Sequence, residues 1–432
     1  MKLFYDKKLI IKKVGKDKHI IYSPISNKRI RVNGMVKIFL KYVIENKGDL
    51  NISQMKDYLS KKINKNLEEN EISKHIETLK QLKFLYETEE EIDKMNNEVE
   101  EKIKKIFKNQ KLITAYLHLT MRCDFNCVYC YNRELASSHK EELDTYSWFK
   151  IIEHLKTAGV KTLNITGGEP LVREDTDVLI KKARDYGFNI SLLTNGSLLL
   201  DKYDKIVPYV DKVFLSLDSN DMFINSKNRS RVGFSKILKL IEEIAREFPQ
   251  KLTVRSVVTK NNMKNVEEFH NFLRERYNIK NLIKNLALPN KIEDIGKMVT
   301  LNWQKGKKPE EIEVIYNYVF CGAGRSTIAI SPNGDIYPCQ LLMYNELKIG
   351  NVLNPNWLES LKSANLNIFP IFLDKNIKCN SCAYKYYCGG GCPGISYKLY
   401  KNFNSFLDFL CPHIKEEAKL KIIYKKCEWE NI

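Results

Sequence analysis

Apolar residues recur along this chain in two rhythms. Between 111 and about 290, short runs rich in β-branched residues alternate with stretches whose apolar positions fall three and four apart. The runs predict strands at Leu112–Thr120, Thr162–Thr166, Ile190–Thr194, Val213–Leu217, Leu252–Val258 and Leu282–Leu286. Helices fill the gaps, among them Trp148–Thr157, Asp177–Asp185, Phe234–Glu247 and Val266–Tyr277. Repeated strand–helix units imply an α/β class with parallel pairing and right-handed crossovers.

The two flanks read differently. Residues 1–88 predict a small α/β unit, with β-prone stretches at Leu9–Val14, His19–Ser23 and Arg29–Val32. Helical spacing follows at Gly34–Asn46, Ser53–Ile63 and Asn70–Leu82, with Ser53 as an expected N-cap and Glu71 in a favourable first turn. Residues 89–110 are charged and helix-forming, which predicts a tether, and 291–320 read as a bridge. From Cys321 to residue 432 the chain is turn-rich and cysteine-dense.

The 432 residues predict two or three domains, and 43% apolar with 29% charged residues is ordinary for a globular chain with a real core. No apolar run is long enough for a membrane span, and lysines interrupt the apolar residues near the N-terminus, so a cytoplasmic location without a membrane partner is expected. In that compartment clustered cysteines point to metal or catalysis rather than disulfides. Ten of the eleven cysteines fall into two organised groups, and Cys427 is left over. The net charge of +18 suits an acidic partner, although the lysines are scattered and form no long block.

The first group is Cys123, Cys127 and Cys130, directly after the first predicted barrel-region strand. Three thiolates on one loop hold three irons of a cubic iron–sulfur cluster and leave the fourth without a protein ligand, whereas such clusters normally take four cysteines. A zinc knuckle or three buried thiols is the plainer alternative. With Tyr129 just before the last cysteine, the segment resembles the cluster loop of radical S-adenosylmethionine (SAM) enzymes. That resemblance implies a partial (β/α)6 TIM-like barrel over 111–290, chemistry at the C-terminal strand ends, and SAM on the open iron.

Further motifs sit at later strand ends. Gly167, Gly168, Glu169 and Pro170 end the second strand, and in the resembled enzymes this segment holds the SAM amino group. Asn195 and Ser216 are expected to line the site, and Arg229 stands where the family often pairs an arginine with the SAM carboxylate. Arg255 and Asn261 border the fifth strand.

The second group is Cys321, Cys339, Cys379, Cys382, Cys388, Cys392 and Cys411, with Pro-Asn-Gly-Asp-Ile-Tyr-Pro preceding Cys339 as a hairpin turn. The paired spacing also suits zinc, yet all seven positions resemble the SPASM extension, which binds auxiliary clusters. The resemblance implies three [4Fe–4S] clusters in all. Cys379, Cys382, Cys388 and Cys411 would ligate an outer auxiliary cluster. Cys321, Cys339 and Cys392 would hold an inner one, with Thr327 where some relatives have a further cysteine. A peptide thiolate or Cys427 would complete that inner set. Gln340 follows Cys339 where sulfatase-oxidising relatives carry a basic aspartate, which argues against that activity.

Residues 1–88 resemble a winged-helix unit, and more closely the peptide-recognition (RRE) domain of enzymes that modify ribosomally made peptides. The expected function is therefore a radical SAM peptide maturase that takes a ribosomal precursor peptide and a one-electron donor such as flavodoxin or ferredoxin. Its expected product is a cysteine sulfur-to-carbon thioether cross-link. Carbon–carbon or carbon–oxygen cross-linking uses the same framework. An RNA-modifying enzyme and a non-catalytic metal-binding protein are the rivals from other classes, although no arginine- or aromatic-rich reading surface for nucleic acid is evident.

Overall fold

The computed structural model describes the chain except residues 15, 27, 109–110, 137–140, 231, 288–320, 365–376, 381, 385–387, 404, 406–409, 413–414 and 416–432. The predicted 291–320 bridge and Cys427 lie outside the described residues.

The chain begins with a short strand β1 (Phe4–Tyr5), followed by β2 (Ile10–Lys13), β3 (Lys18–Ser23) and β4 (Lys28–Asn33). β2, β3 and β4 form an antiparallel sheet in that order. Helices α1 (Gly34–Glu45), α2 (Ile52–Ile63) and α3 (Glu69–Gln81) follow. Side-chain caps fix their starts: Asn33 accepts from the Val36 amide, and Asn51 from that of Gln54. The expected cap Ser53 is inside α2, because Asn51 reaches its orphan amide two residues earlier. Glu68 and Glu71 form a reciprocal capping box at α3.

A strand pair that the sequence did not announce closes this unit. β5 (Leu85–Tyr86) runs antiparallel to β1, joining the two ends of the segment. Phe39, Leu40, Val43, Met55 and Ile72 lie in a core cluster that shares no member with the central one. Helix α4 (Glu89–Lys108) then leads away, with three glutamates in its first turn.

Six parallel strands follow in chain order: β6 (Thr114–Thr120), β7 (Thr162–Gly167), β8 (Asn189–Thr194), β9 (Lys212–Ser216), β10 (Leu252–Val258) and β11 (Leu282–Leu286). Between them lie helices α5 (Arg133–Ala136), α6 (Thr145–Thr157), α7 (Thr176–Asp185), α8 (Tyr203–Ile206), α9 (Met222–Ser226), α10 (Phe234–Glu247) and α11 (Val266–Tyr277). This is the predicted α/β alternation, strand by strand.

The cysteine-rich end is not separate from the sheet. β12 (Thr327–Ile330) pairs parallel with β6, and β13 (Asp335–Tyr337) and β14 (Gly350–Asn351) continue it antiparallel. The result is a mixed nine-stranded sheet. The β12–β13 turn is the hairpin expected from Pro-Asn-Gly-Asp, with Gly334 at φ +84°.

The two faces of this sheet differ. Ala115, Leu117, Ile165, Leu192, Leu215 and Val254 pack with Trp148, Ile152, Ile180 and Ile241 from the helices. Register places Tyr116, Asn164 and Ser191 abreast on the opposite face, and likewise Ser216 beside Arg255. Arg255 on β10 lies within electrostatic reach of Tyr116 on β6. Four strand spacings would separate them by about 19 Å in a flat sheet. The sheet therefore curls, with its polar face inside.

Because the N-terminal unit has its own core, Phe39→Ala should destabilise that unit by about 3–5 kcal/mol. Hydrogen exchange should show the loss confined to residues 1–88, with protection of β6–β10 unchanged.

Candidate active site

The segment from Met121 to Asn132 leaves β6 and carries Cys123, Cys127 and Cys130. Almost none of it is helix or strand, so its shape comes from what holds it. Cys123 is exposed at the rim, and Cys127 and Cys130 are half-buried. Phe125 anchors the loop in the central core.

The end of β7 holds the start of the loop. The Gly168 amide donates to the Thr120 carbonyl at 2.8 Å, and the Glu169 amide to the Arg122 carbonyl at 2.9 Å. A Cβ on Gly167 would stand 2.1 Å from the Thr120 carbonyl oxygen, and one on Gly168 would stand 2.2 Å from that of Arg122. The close approach that these glycines permit is thus to the loop backbone itself. Asn132, on the far side of the loop, donates to the Gly167 carbonyl at 2.7 Å. Pro170 opens a single 3-10 turn, Pro170–Val172.

The end of β8 takes the next hold. Asn195 Nδ2 and Ser197 Oγ donate to the two carboxylate oxygens of Asp124 at 2.7 and 2.6 Å. Glu169 is buried beneath them. It accepts from the Thr194 hydroxyl at 2.8 Å and from the amides of Asn195 and Leu171 at 2.7 and 3.2 Å. Burial pushes its carboxyl up to about 7 despite these donors.

The end of β9 supplies the third hold. Tyr129 Oη donates to Asp218 Oδ2 at 2.5 Å. Arg229 Nη2 donates to Asp218 Oδ1 at 3.1 Å, its Nε stands 3.0 Å from Oδ2, and the guanidinium lies 5.3 Å from the Tyr129 ring centroid. The side chains of Arg229 and Asp218 are 6% and 0% exposed, so this ion pair is shielded from water. The Val257 amide also donates to Asp218, at 2.8 Å, and Val128 donates its amide to the Asn228 carbonyl at 3.0 Å. Arg229 is therefore committed to Asp218 in this state. Asp218 stands two residues after the expected site residue Ser216, and its role needs the fold.

The other cysteines gather by electrostatic reach into two sets. Cys379 feels Cys388, Cys382 and Cys411, and Cys388 feels Cys411 and Cys382. Cys339 feels Cys321 and Cys392. Burial pushes Cys379 up to about 12 and Cys321 and Cys388 up to about 11. Within the loop, Cys123 feels Cys127, which in turn feels Cys130. It is the grouping of these thiols that suits a metal centre; burial alone holds them protonated, and a bound cation would displace the protons and take the thiolates. Among the described residues, no three His, Cys, Asp or Glu side chains converge on the position of a single metal ion. Thr327 begins β12 opposite Thr114.

Two residues with weak sequence signals complete the site. Tyr131 lies within electrostatic reach of Cys130 and of Cys339, between the loop and the cysteine-rich end. Arg255 stacks on Phe214, 3.9 Å from its centroid, and Ser216 is its neighbour across the sheet. Asn261 bonds to Asn228 at 2.9 Å in the adjoining turn. No helix among the described residues is long and apolar enough to cross a membrane.

Asp218→Ala should leave Arg229 as an uncompensated buried charge and cost about 3–5 kcal/mol in chemical denaturation. Tyr129→Phe, which removes one hydrogen bond to a charged carboxylate, should cost about 1.5–3 kcal/mol. Gly168→Ala should displace the loop backbone, and the purified protein should then carry much less iron and sulfide at unchanged far-ultraviolet circular dichroism.

Comparison with known proteins agrees with this layout. Residues 117–273 match the model of the Radical SAM superfamily, and residues 321–383 match that of the SPASM iron–sulfur cluster-binding domain. The mycofactocin maturase MftC of Mycobacterium tuberculosis is 27% identical over 305 residues, covering 63% of this chain and 76% of MftC. SuiB of Streptococcus suis, solved bound to the precursor peptide SuiA, has a similar fold with a TM-score of 0.56 and 20% identity. That likeness covers 95% of this chain and 99% of SuiB. The structure of anSMEcpe with bound AdoMet and a peptide gives a TM-score of 0.51 at 18% identity, covering 71% of this chain and 99% of that one. The cysteine loop at the end of the first parallel strand lies within the radical SAM match, and the cysteine-rich end joined to the same sheet begins with the SPASM match, so the chain has a radical SAM/SPASM domain architecture.

Proposed function

We propose that this enzyme is a peptide maturase that cross-links a ribosomally made precursor, with a cysteine thioether as its product. The observation that carries this reading is the three-sided hold on the Cys123–Cys130 loop at the C-terminal ends of β7, β8 and β9. The loop opens there onto the polar, curled face of the sheet, which we read as a partial (β/α)6 barrel. The maturase MftC and the peptide-bound SuiB support a peptide substrate.

Cys123, Cys127 and Cys130 would hold the first of three [4Fe–4S] clusters, and Gly167, Gly168, Glu169, Pro170, Asn195, Ser216 and Arg229 would surround SAM, with Tyr129 bracing the loop from behind. Bound there and reduced by a flavodoxin- or ferredoxin-type donor, the cluster and SAM would supply radical chemistry able to act on an unreactive carbon–hydrogen bond. The chain's own residues fix the position of that chemistry. Glu169 and Asn195 tie β7 to β8, and the Asp218–Arg229 pair ties β9 to the loop. For an incoming ammonium or carboxylate, Glu169 and Arg229 would exchange part of their present bonding.

Cys379, Cys382, Cys388 and Cys411 would form the outer auxiliary set, and Cys321, Cys339 and Cys392 the inner one. Three thiols on the inner set leave room for a peptide thiolate. This supports the thioether over carbon–carbon or carbon–oxygen linkage, neither of which needs that vacancy.

Residues 1–88 would bind the precursor's leader as an RRE-type unit. Among the described residues, β4 pairs only with β3, so its outer edge offers backbone groups to an added strand. Lys28 and Arg31 lie on this strand and favour an acidic leader. Holding the leader raises the effective concentration of the core peptide at the strand ends.

Alanine in place of Cys123, Cys127 and Cys130 should abolish 5′-deoxyadenosine formation in an anaerobic assay with reductant and SAM. A wild-type protein that makes none would overturn the enzyme assignment. Deleting residues 1–88 should collapse precursor conversion, followed by mass spectrometry, while uncoupled SAM cleavage survives. Undiminished conversion at the same precursor concentration would rule out leader recognition by this unit. A precursor without cysteine would rule out the thioether.

A further inference from the structure

Among the described residues, the buried carboxylates at the strand ends have full sets of donors. Asp218 takes Arg229, Tyr129 and the Val257 amide, and Glu169 takes Thr194 and two amides. Arg255 has no such counter-charge. It sits at mid-strand in β10, on the polar face, with Ser216 beside it and Phe214 beneath its guanidinium. Its Nε is buried without a hydrogen-bond partner, and among the described residues the phenols of Tyr116 and Tyr131 are the groups within its electrostatic reach that favour its charge. Among the described residues no carboxylate pairs with it.

Arg255 is half-buried, so its guanidinium is only partly solvated; desolvating a cation without a counter-charge is costly, and stacking on a phenyl ring offsets only part of that cost. Such an arrangement is stable enough to persist and is improved by an anion. The planar fork of an arginine fits a carboxylate bidentately, and two tyrosine hydroxyls on the facing wall are further donors. The position also selects which carboxylate arrives. β10 lies three strands from β7, whose end carries the Gly-Gly-Glu segment, and Arg255 points toward Tyr131, which stands between Cys130 and Cys339. That is the space between the loop and the cysteine-rich end, where a substrate rather than a cofactor would lie.

We propose that Arg255, facing Tyr116 and Tyr131, is a specificity-determining residue that receives a carboxylate of the substrate peptide, either an acidic side chain or a chain terminus. This rests on the reading above that the substrate is a peptide. It adds that an acidic group lies close to the modified position.

The test is equilibrium binding to the full chain, anaerobically loaded with iron and sulfide and saturated with SAM. The probes are acetyl-Gly-Glu-Gly-amide, its Gln twin, and acetyl-Gly-Gly-Gly as free acid and as amide, followed by saturation-transfer nuclear magnetic resonance. The wild type should prefer the Glu probe over the Gln probe, or the free acid over the amide, by about tenfold or more. Arg255→Met should erase the preference, and Arg255→Lys should retain part of it. Which of the two probe pairs responds distinguishes a side chain from a terminus. SAM affinity and iron content should stay within about twofold across the variants, which also reports that they fold.

A wild type that is indifferent to the acid, or a preference that survives Arg255→Met, would overturn the proposal. So would a parallel loss of SAM affinity in Arg255→Met and Arg255→Lys, because Arg255 would then serve the SAM carboxylate. Failure of the wild type to bind SAM would instead overturn the radical SAM reading and leave the acid preference to be judged by its own probes.

Discussion

The cysteine loop has almost no regular secondary structure, so its geometry depends on the backbone ladder between Gly168, Glu169 and the carbonyls of Thr120 and Arg122. Those two bonds align the start of the loop with the end of β7. They form only because residues 167 and 168 lack side chains, so that two backbones meet at a distance that a Cβ would forbid. The downstream contacts refine a path that this approach has already set. Asp124 turns the loop toward β8, and Tyr129 returns it to β9 through Asp218.

The buried Arg229–Asp218 pair adds rigidity in a form that a hydrophobic contact would not. An ion pair shielded from water gives little net stability compared with apolar packing, but breaking it is expensive. It also fixes direction, since the carboxylate accepts from Tyr129, Arg229 and the Val257 amide at once. Three elements far apart in sequence thereby converge on one side chain. A loop that must present three thiols to one inorganic centre needs this kind of constraint, because small errors of position would leave a ligand out of reach.

The same division of labour runs through the sheet. Its outer face is an apolar surface sealed by helices, which supplies the stability. Its inner face carries Tyr116, Asn164, Ser191, Ser216 and Arg255, whose polar groups come at some cost to stability. The cysteine-rich end is built into this arrangement, because β12 extends the sheet next to β6. Cys321 precedes β12 and Cys339 follows β13, so the register sets both toward the Thr114 end of β6, opposite the end from which the cysteine loop leaves.

Much of this was legible in the residues alone. The strand–helix alternation marked β6 to β11, though not the parallel β12 beside them, because β-branched runs and three-to-four spacing are local signals. Spacing in the chain likewise marked Cys123, Cys127, Cys130 and the glycines after β7. Local signals also misled where two caps competed, as at Ser53, whose neighbour Asn51 captures the amide first. What tertiary structure decided was pairing over distance. The β1–β5 closure joins segments some eighty residues apart, and two-residue strands carry no periodicity to reveal them. Asp218 and Tyr131 carry no signal beyond that of ordinary loop residues, and Arg255 none beyond its place in the fifth strand. Curling the sheet brought β10 opposite β6, and only then did one arginine stand without a counter-charge beside two tyrosines. Sequence spacing records which residues are neighbours along the chain, whereas a site's charge balance depends on neighbours in space.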